Sequence, residues 1–94
     1  MARKETLPFD AAVYLDDTDS QIELLTDAFA TGDRAYIANA IGIVARARGM
    51  TEIAKQTGVT REGLYKAFSP SGDPQLSTLL GAVKALGLKL TVTT

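Results

Sequence analysis

The stretch TEIAKQTGVTREGLYKAF, residues 51–68, predicts two short helices that meet at Gly58. Glycine accepts a positive φ that other residues avoid, which suits it to a tight turn between helices. Ala54 provides the small side chain that the first helix needs where it faces the second. Apolar anchors are expected beneath both helices at Ile53, Val59, Leu64 and Phe68. The stretch therefore predicts a two-helix corner in which one face of the second helix points outward.

Around this corner the sequence predicts an all-α domain of five helices. The expected helices cover residues 19–30, 34–48, 52–57, 61–68 and 77–86. Short polar side chains accept hydrogen bonds from the first backbone N–H groups of a helix, so we expect N-caps at Thr18, Asp33, Thr51 and Thr60. Gln21 is expected to complete a capping box with Thr18.

Apolar residues at helical spacing predict the faces that these helices bury. The expected rows are Ile22, Leu25 and Phe29 on the first helix, Ile37, Ala40, Ile41 and Val44 on the second, and Leu79, Leu80, Val83 and Leu86 on the fifth. The second helix is largely apolar on its other faces too, which predicts a central position. Arg46 and Arg48 lie in its last turn, where the helix dipole favours cations, so a structural role would explain them. Gly63 predicts a close backbone approach, because glycine inside a helix costs up to about 1 kcal/mol relative to alanine.

The two ends of the chain differ from this helical domain, which we place at residues 18–87. Residues 1–17 are expected to form an arm, since Pro8 and the acidic pair at its end interrupt a short apolar patch. Residues 88–94 alternate apolar and polar side chains, which predicts a strand. A strand must pair its backbone groups, so we expect it to pair with a second copy of the chain or with the arm.

Composition excludes several classes of chemistry. The chain of 94 residues contains no cysteine and no histidine, which removes disulfides, thiolate nucleophiles, the usual zinc sites and the commonest general base. We therefore expect neither an enzyme nor a cofactor or metal site. No segment has the length of a membrane span or the pattern of a signal peptide, and we expect a cytoplasmic protein.

Charge is distributed unevenly along the chain. Residues 1–33 contain two basic and eight acidic residues, a net charge of −6, whereas residues 34–94 contain eight basic and three acidic residues, a net charge of +5. This division predicts two partners of opposite charge. The alternative is that the two halves face each other or the solvent.

The outward face of the fourth helix predicts a DNA-binding surface. In a helix-turn-helix the first residues of the second helix reach base edges in the major groove, while neighbouring hydroxyls and cations contact phosphates. Arg61 suits guanine, and Glu62 suits the amino group of cytosine. Backbone contacts are expected from Thr60, Tyr65 and Lys66, with help from Lys55 and Gln56 on the third helix. Such corners also occur in proteins that bind no nucleic acid, so the lysines could be ordinary solvated residues and Tyr65 a half-buried aromatic.

Several segments carry a resemblance to a known family. They are FDAAVYLDD at residues 9–17, ARARGMT at 45–51, TREGLYKA at 60–67, SPSGDP at 69–74 and LGLKL at 86–90. They are spread over most of the length of the chain, from residue 9 to residue 90, and they resemble the antidote proteins of bacterial toxin–antitoxin addiction modules. The similar members are HigA-like antitoxins with a lambda-repressor-like (Xre) helix-turn-helix.

The resemblance implies a dimeric transcriptional autorepressor that binds operator DNA and neutralises a basic RelE/ParE-like toxin. On that basis we place the toxin contact in the acidic arm. The expected apolar anchors are Phe9, Tyr14 and Leu15, and the carboxylates expected to meet toxin cations are Asp10, Asp16 and Asp17. The alternatives are that the arm residues only cover the helical core, and that the chain is a protein-interaction module or a plain Xre-type regulator without a toxin.

Overall fold

The computed structural model describes residues 17–94, and in that part of the chain every regular element is a helix. The helices are α1 Thr18–Thr31, α2 Arg34–Arg48, α3 Met50–Thr57, α4 Arg61–Ala67 and α5 Leu76–Ala85. The predicted all-α class and the five predicted helices are confirmed for this part of the chain. The predicted bounds of α2 are confirmed, and those of the other four helices differ from the predicted ones by one or two residues, as is usual at fraying ends.

Two of the four predicted N-caps are confirmed. Asp33 accepts hydrogen bonds from Ala35 N and Tyr36 N at the start of α2, and Thr60 accepts one from Gly63 N at the start of α4. The prediction for α1 was wrong, because Asp17 caps it and Thr18 is its first residue. The prediction for α3 was also wrong. That helix begins at Met50 after Gly49, and no side chain caps it.

Helix α2 lies at the centre of the fold and contacts each of the other four helices. Ala40, Ile41 and Val44 are fully buried in it, whereas Ile37 is only partly buried. The most extensive contacts join α1 to α2 and α3 to α5. A hydrogen bond from the Tyr36 hydroxyl to Asp27, at 2.6 Å, connects α1 to α2 and raises the pKa of Tyr36 above its ordinary value.

Two of the apolar residues predicted to be buried are instead exposed. Ile22 retains 43% of its accessible surface and Leu80 retains 47%. The buried face of α1 consists of Gln21, Leu25 and Ala28. A polar residue can occupy this face because its side chain has a hydrogen-bond partner on another helix.

That partner is Arg48, at the end of α2. Its Nε donates to Gln21 Oε1 at 2.6 Å, and its Nη1 donates to the backbone oxygen of Leu86 at 2.9 Å. Only 1% of Gln21 is exposed. One guanidinium therefore joins α1, α2 and the end of α5. The capping box expected between Thr18 and Gln21 is wrong for the same reason, because the Gln21 side chain points into the core.

Replacing Arg48 by Met is expected to lower the free energy of unfolding by about 1–3 kcal/mol, since Gln21 and Leu86 lose a charged donor in a partly buried site. Denaturant unfolding measures the change. Lys84→Met is the control, because Lys84 is also an exposed last-turn cation but has no side-chain hydrogen bond to the described residues. Its effect should stay within about 0.5 kcal/mol. Equal effects of the two substitutions would contradict this role of Arg48.

The strand predicted at residues 88–94 is not present in the part of the chain that the structure describes. Leu88 N donates to Val83 O at 3.1 Å, and Leu88 packs against the core. Beyond it Val92 is 96% exposed. An alternating segment forms a β-strand only when it hydrogen-bonds to a neighbouring strand. Residues 17–94 contain no such strand.

Candidate nucleic-acid interface

Helices α3 and α4 form the corner that the sequence predicted. Gly58 has a φ of 75°, and its N–H donates to Ala54 O at 2.9 Å, so the chain leaves α3 through a left-handed residue. The Thr57 hydroxyl donates to Ile53 O at 2.9 Å and accepts from Val59 N at 3.3 Å. These bonds satisfy backbone groups at the end of α3 and direct the chain into α4.

The inner face of the corner consists of the predicted anchors. Leu64 has no exposed surface, Ile53 is 2% exposed and Phe68 is 3% exposed. Val59 and Ala54 are partly buried against the same core. Because α4 has only seven residues and is too short to persist alone, this packing determines its orientation.

The outer face of the corner carries every residue that the sequence assigned to DNA. All of them lie at the surface: Lys55, Gln56, Thr60, Arg61, Glu62, Tyr65 and Lys66. Tyr65 is 43% exposed. Gln56 Nε2 donates to Glu52 Oε2 at 3.2 Å, which restrains the Gln56 amide along α3. Three cations and two carboxylates within residues 50–68 give this surface a weakly positive charge.

The C-terminal end of α4 is in close backbone contact with two other segments. A Cβ added to Gly42, in α2, would lie 2.1 Å from Phe68 O. A Cβ added to Gly72, in the following loop, would lie 2.1 Å from Ala67 O. Arg34 Nη1 donates to Gly72 O at 2.5 Å and so connects this loop to the start of α2. Nothing in the local sequence indicated a role for Arg34 or Gly72, and the only signal at Gly42 was a glycine inside a helix.

The close backbone approach predicted at Gly63 is not observed. A Cβ at Gly63 would meet two side chains, Val59 Cγ1 at 3.0 Å and Thr60 Oγ1 at 3.1 Å, and no backbone atom of another segment. The glycine keeps space for the capping hydroxyl of Thr60.

A groove of about 330 Å³ lies between α4 and the following loop. It is lined by Gly63, Lys66, Ala67, Ser71, Gly72 and Asp73.

Most of the residues assigned to toxin contact lie outside the described residues, namely Phe9, Asp10, Tyr14, Leu15 and Asp16. Asp17 is exposed, and its Oδ1 accepts a hydrogen bond from Ser20 N at 2.7 Å. This backbone hydrogen bond holds the pKa of Asp17 below its ordinary value. The carboxylate therefore has a structural role as the N-cap of α1.

Residues 17–94 contain neither a metal-binding cluster nor a membrane-spanning helix. No group of three or more acidic side chains there could hold a metal ion. None of the helices in that part of the chain is both long and apolar enough to cross a membrane.

Comparison with known proteins identifies the family. The family model described as "Probable addiction module antidote protein" matches residues 5–94. The chain therefore belongs to the family of addiction module antidote proteins, whose members act with a partner toxin. An uncharacterized protein of Haemophilus influenzae is 40% identical over 85 residues, which cover 89% of this chain and 87% of the relative. No solved structure matches the chain.

Proposed function

We propose that this antidote protein is a HigA-like antitoxin that neutralises a basic RelE/ParE-like toxin and represses its own transcription. In this proposal the α3–α4 corner is a lambda-repressor-like helix-turn-helix, and α4 is the helix that enters the major groove of operator DNA. The observation that carries the proposal is the two-sided construction of α4. Leu64 on its inner face is fully buried, while Arg61, Glu62 and Lys66 on its outer face are exposed.

The positions of the outer-face residues support two kinds of DNA contact, to base edges and to the sugar-phosphate backbone. Arg61 and Glu62 lie in the first turn of α4 and would read base edges. The Thr60 oxygen already accepts a hydrogen bond from Gly63 N, but its hydroxyl hydrogen can still donate to a phosphate. Tyr65 and Lys66 would contact the sugar-phosphate backbone of the same DNA strand. Lys55 and Gln56 would do so from α3, since an amide that donates once to Glu52 keeps a second N–H.

A symmetric dimer would present two copies of α4 to successive major grooves, about 34 Å apart. We place the pairing surface in the C-terminal tail, residues 88–94. Among the described residues, no backbone hydrogen bond involves residues 89–94, so their donors and acceptors are available to a partner chain. In an antiparallel pair centred on Thr91, Lys89 lies opposite Thr93, and no two like charges meet.

Deleting residues 89–94 is expected to convert the dimer to a monomer while leaving the helices intact, because the last buried anchor, Leu86, is retained. Analytical ultracentrifugation measures the association, and circular dichroism measures the helix content. Lys89→Glu is the control that keeps the length of the tail, and it should leave the dimer intact because residue 89 lies opposite the neutral Thr93. A truncated chain that dimerises as tightly as the full chain would exclude the tail as the pairing surface.

The toxin contact is proposed for the acidic N-terminal segment that ends at Asp17. Carboxylates suit a basic partner by charge complementarity, which accelerates association, while apolar anchors contribute most of the affinity. Copurification with the product of the neighbouring gene tests this part of the proposal. Substituting the three apolar anchors of the segment by Ala should release the toxin, whereas the α4 substitutions should not.

A gel shift with the DNA upstream of the gene tests the repressor function directly. Specific binding should weaken steeply as salt rises, because each neutralised phosphate releases counterions. Toxin binding without any DNA binding would instead favour a protein-interaction module. DNA binding without any toxin would favour a plain Xre-type regulator.

A further inference from the structure

We propose that Arg34 is a positioning residue that fixes α4 against DNA by fastening the loop after it, an inference that rests on the proposed DNA-binding function. Arg34 is the first residue of α2 and is separated from its acceptor, Gly72, by 38 positions in the sequence. The bond from Nη1 to Gly72 O is partly buried. A charged donor makes such a bond stronger than a neutral one.

The loop transmits this bond to α4 because Gly72 lies directly on the end of the helix. A Cβ on Gly72 would be 2.1 Å from Ala67 O and 2.4 Å from Lys66 O, so no side chain fits between the loop and α4. The Ser69 hydroxyl also donates to Lys66 O at 2.9 Å. Movement of the loop therefore displaces the last turn of α4, which carries Lys66.

The end of α4 also contacts α2. Gly42 allows the α2 backbone to meet the Phe68 carbonyl, and the Phe68 side chain is buried. The end of α4 thus contacts both α2 and the loop, and Arg34 joins these two elements to each other.

The first turn of α4 is anchored by Gly58 and by the Thr60 cap. A shift of the last turn therefore tilts this seven-residue helix about its start and changes the angle at which Arg61 and Glu62 meet the bases. Base reading requires the whole helix to be held rigidly, because small displacements of a recognition side chain remove its hydrogen bonds.

Arg34 could act on DNA in a simpler way, as a cation that attracts a phosphate. The two roles differ in measurable ways. Loss of a phosphate contact weakens binding to every sequence alike and reduces the salt dependence by about one unit of slope. Loss of positioning weakens binding to the operator more than to random DNA and leaves the slope nearly unchanged.

The test compares Arg34→Met with the wild type on operator and random duplexes over a range of salt concentrations. We expect operator affinity to fall about tenfold, with random DNA and the salt slope nearly unaffected. Lys84→Met removes an exposed cation from α5 and should leave the ratio of operator to random affinity intact. Thermal unfolding of each variant ensures that binding is measured on folded protein.

Amide hydrogen exchange gives a readout that does not depend on DNA. Arg34→Met should accelerate exchange in residues 69–73 and in the last turn of α4 while leaving the amides of α1 unchanged. Unchanged exchange in the loop, or an equal loss of affinity on both duplexes with a lower salt slope, would overturn the positioning role. A wild-type chain that binds no upstream DNA would instead refute the proposed function, and the positioning role with it.

Discussion

Substituting Arg61 by Ala is expected to weaken binding to the operator by about 1–3 kcal/mol and to relax selection at one base position. Arg61 is the first residue of α4, is exposed, and precedes the buried anchor Leu64 by three positions. A guanidinium at this place can donate two parallel hydrogen bonds to a guanine edge. The protein should remain folded, because the side chain packs against nothing in the core.

Fluorescence anisotropy with operator and random duplexes at one fixed salt concentration measures this effect. Lys84→Ala provides the matched control, since it removes one exposed cation from a helix outside the corner. That change should lower both affinities slightly and equally. If Arg61→Ala also lowered both affinities equally, Arg61 would contact phosphate, and base reading would have to come from other residues of α4.

Substituting Gly42 by Ala is expected to destabilise the fold by about 1–3 kcal/mol, although alanine is normally the better helix former. The added Cβ would lie 2.1 Å from Phe68 O and 3.2 Å from Phe68 C, which are backbone atoms. Neither atom can rotate away as a flexible side chain would. The end of α4 must therefore move away from α2, and DNA binding should weaken as well.

Gly81→Ala is the control for this experiment. Gly81 is also inside a helix, but its Cβ would meet the nearest atom, Thr57 Cγ2, at 3.4 Å, an ordinary contact. That substitution should stabilise the protein by up to about 1 kcal/mol, the usual advantage of alanine over glycine. Denaturant unfolding of both variants gives the comparison. A stabilising effect at Gly42 would show that α2 and α4 can separate without cost.

The sequence predicted the features that depend on near neighbours. The caps at Asp33 and Thr60 and the turn at Gly58 each depend on hydrogen bonds that span two to four residues, so the local pattern determines them. The cap of α1 was assigned to the wrong residue, since Asp17 and Thr18 are adjacent and both suit that position. The surface position of the residues assigned to DNA was predicted from the same local pattern, because the anchors of α4 determine which of its sides points outward.

Burial was predicted less well, because it depends on what packs against each helix. Ile22 and Leu80 fit apolar rows by their spacing, but nearly half of the accessible surface of each remains exposed. Gln21 is buried although it is polar, because Arg48 donates to it from 27 positions away. No pattern within a single helix indicates such a pair.

The sequence by itself determined the helical class, the two-helix corner and the exposed face of α4, because these follow from side-chain periodicity and from backbone preferences within a few residues. Only the tertiary structure decided how α4 is held. The contact of Gly42 with Phe68 and the bond from Arg34 to Gly72 join residues 26 and 38 positions apart in the sequence. Contacts of this kind depend on which distant parts of the chain meet in the folded protein. The sequence around each residue does not predict them.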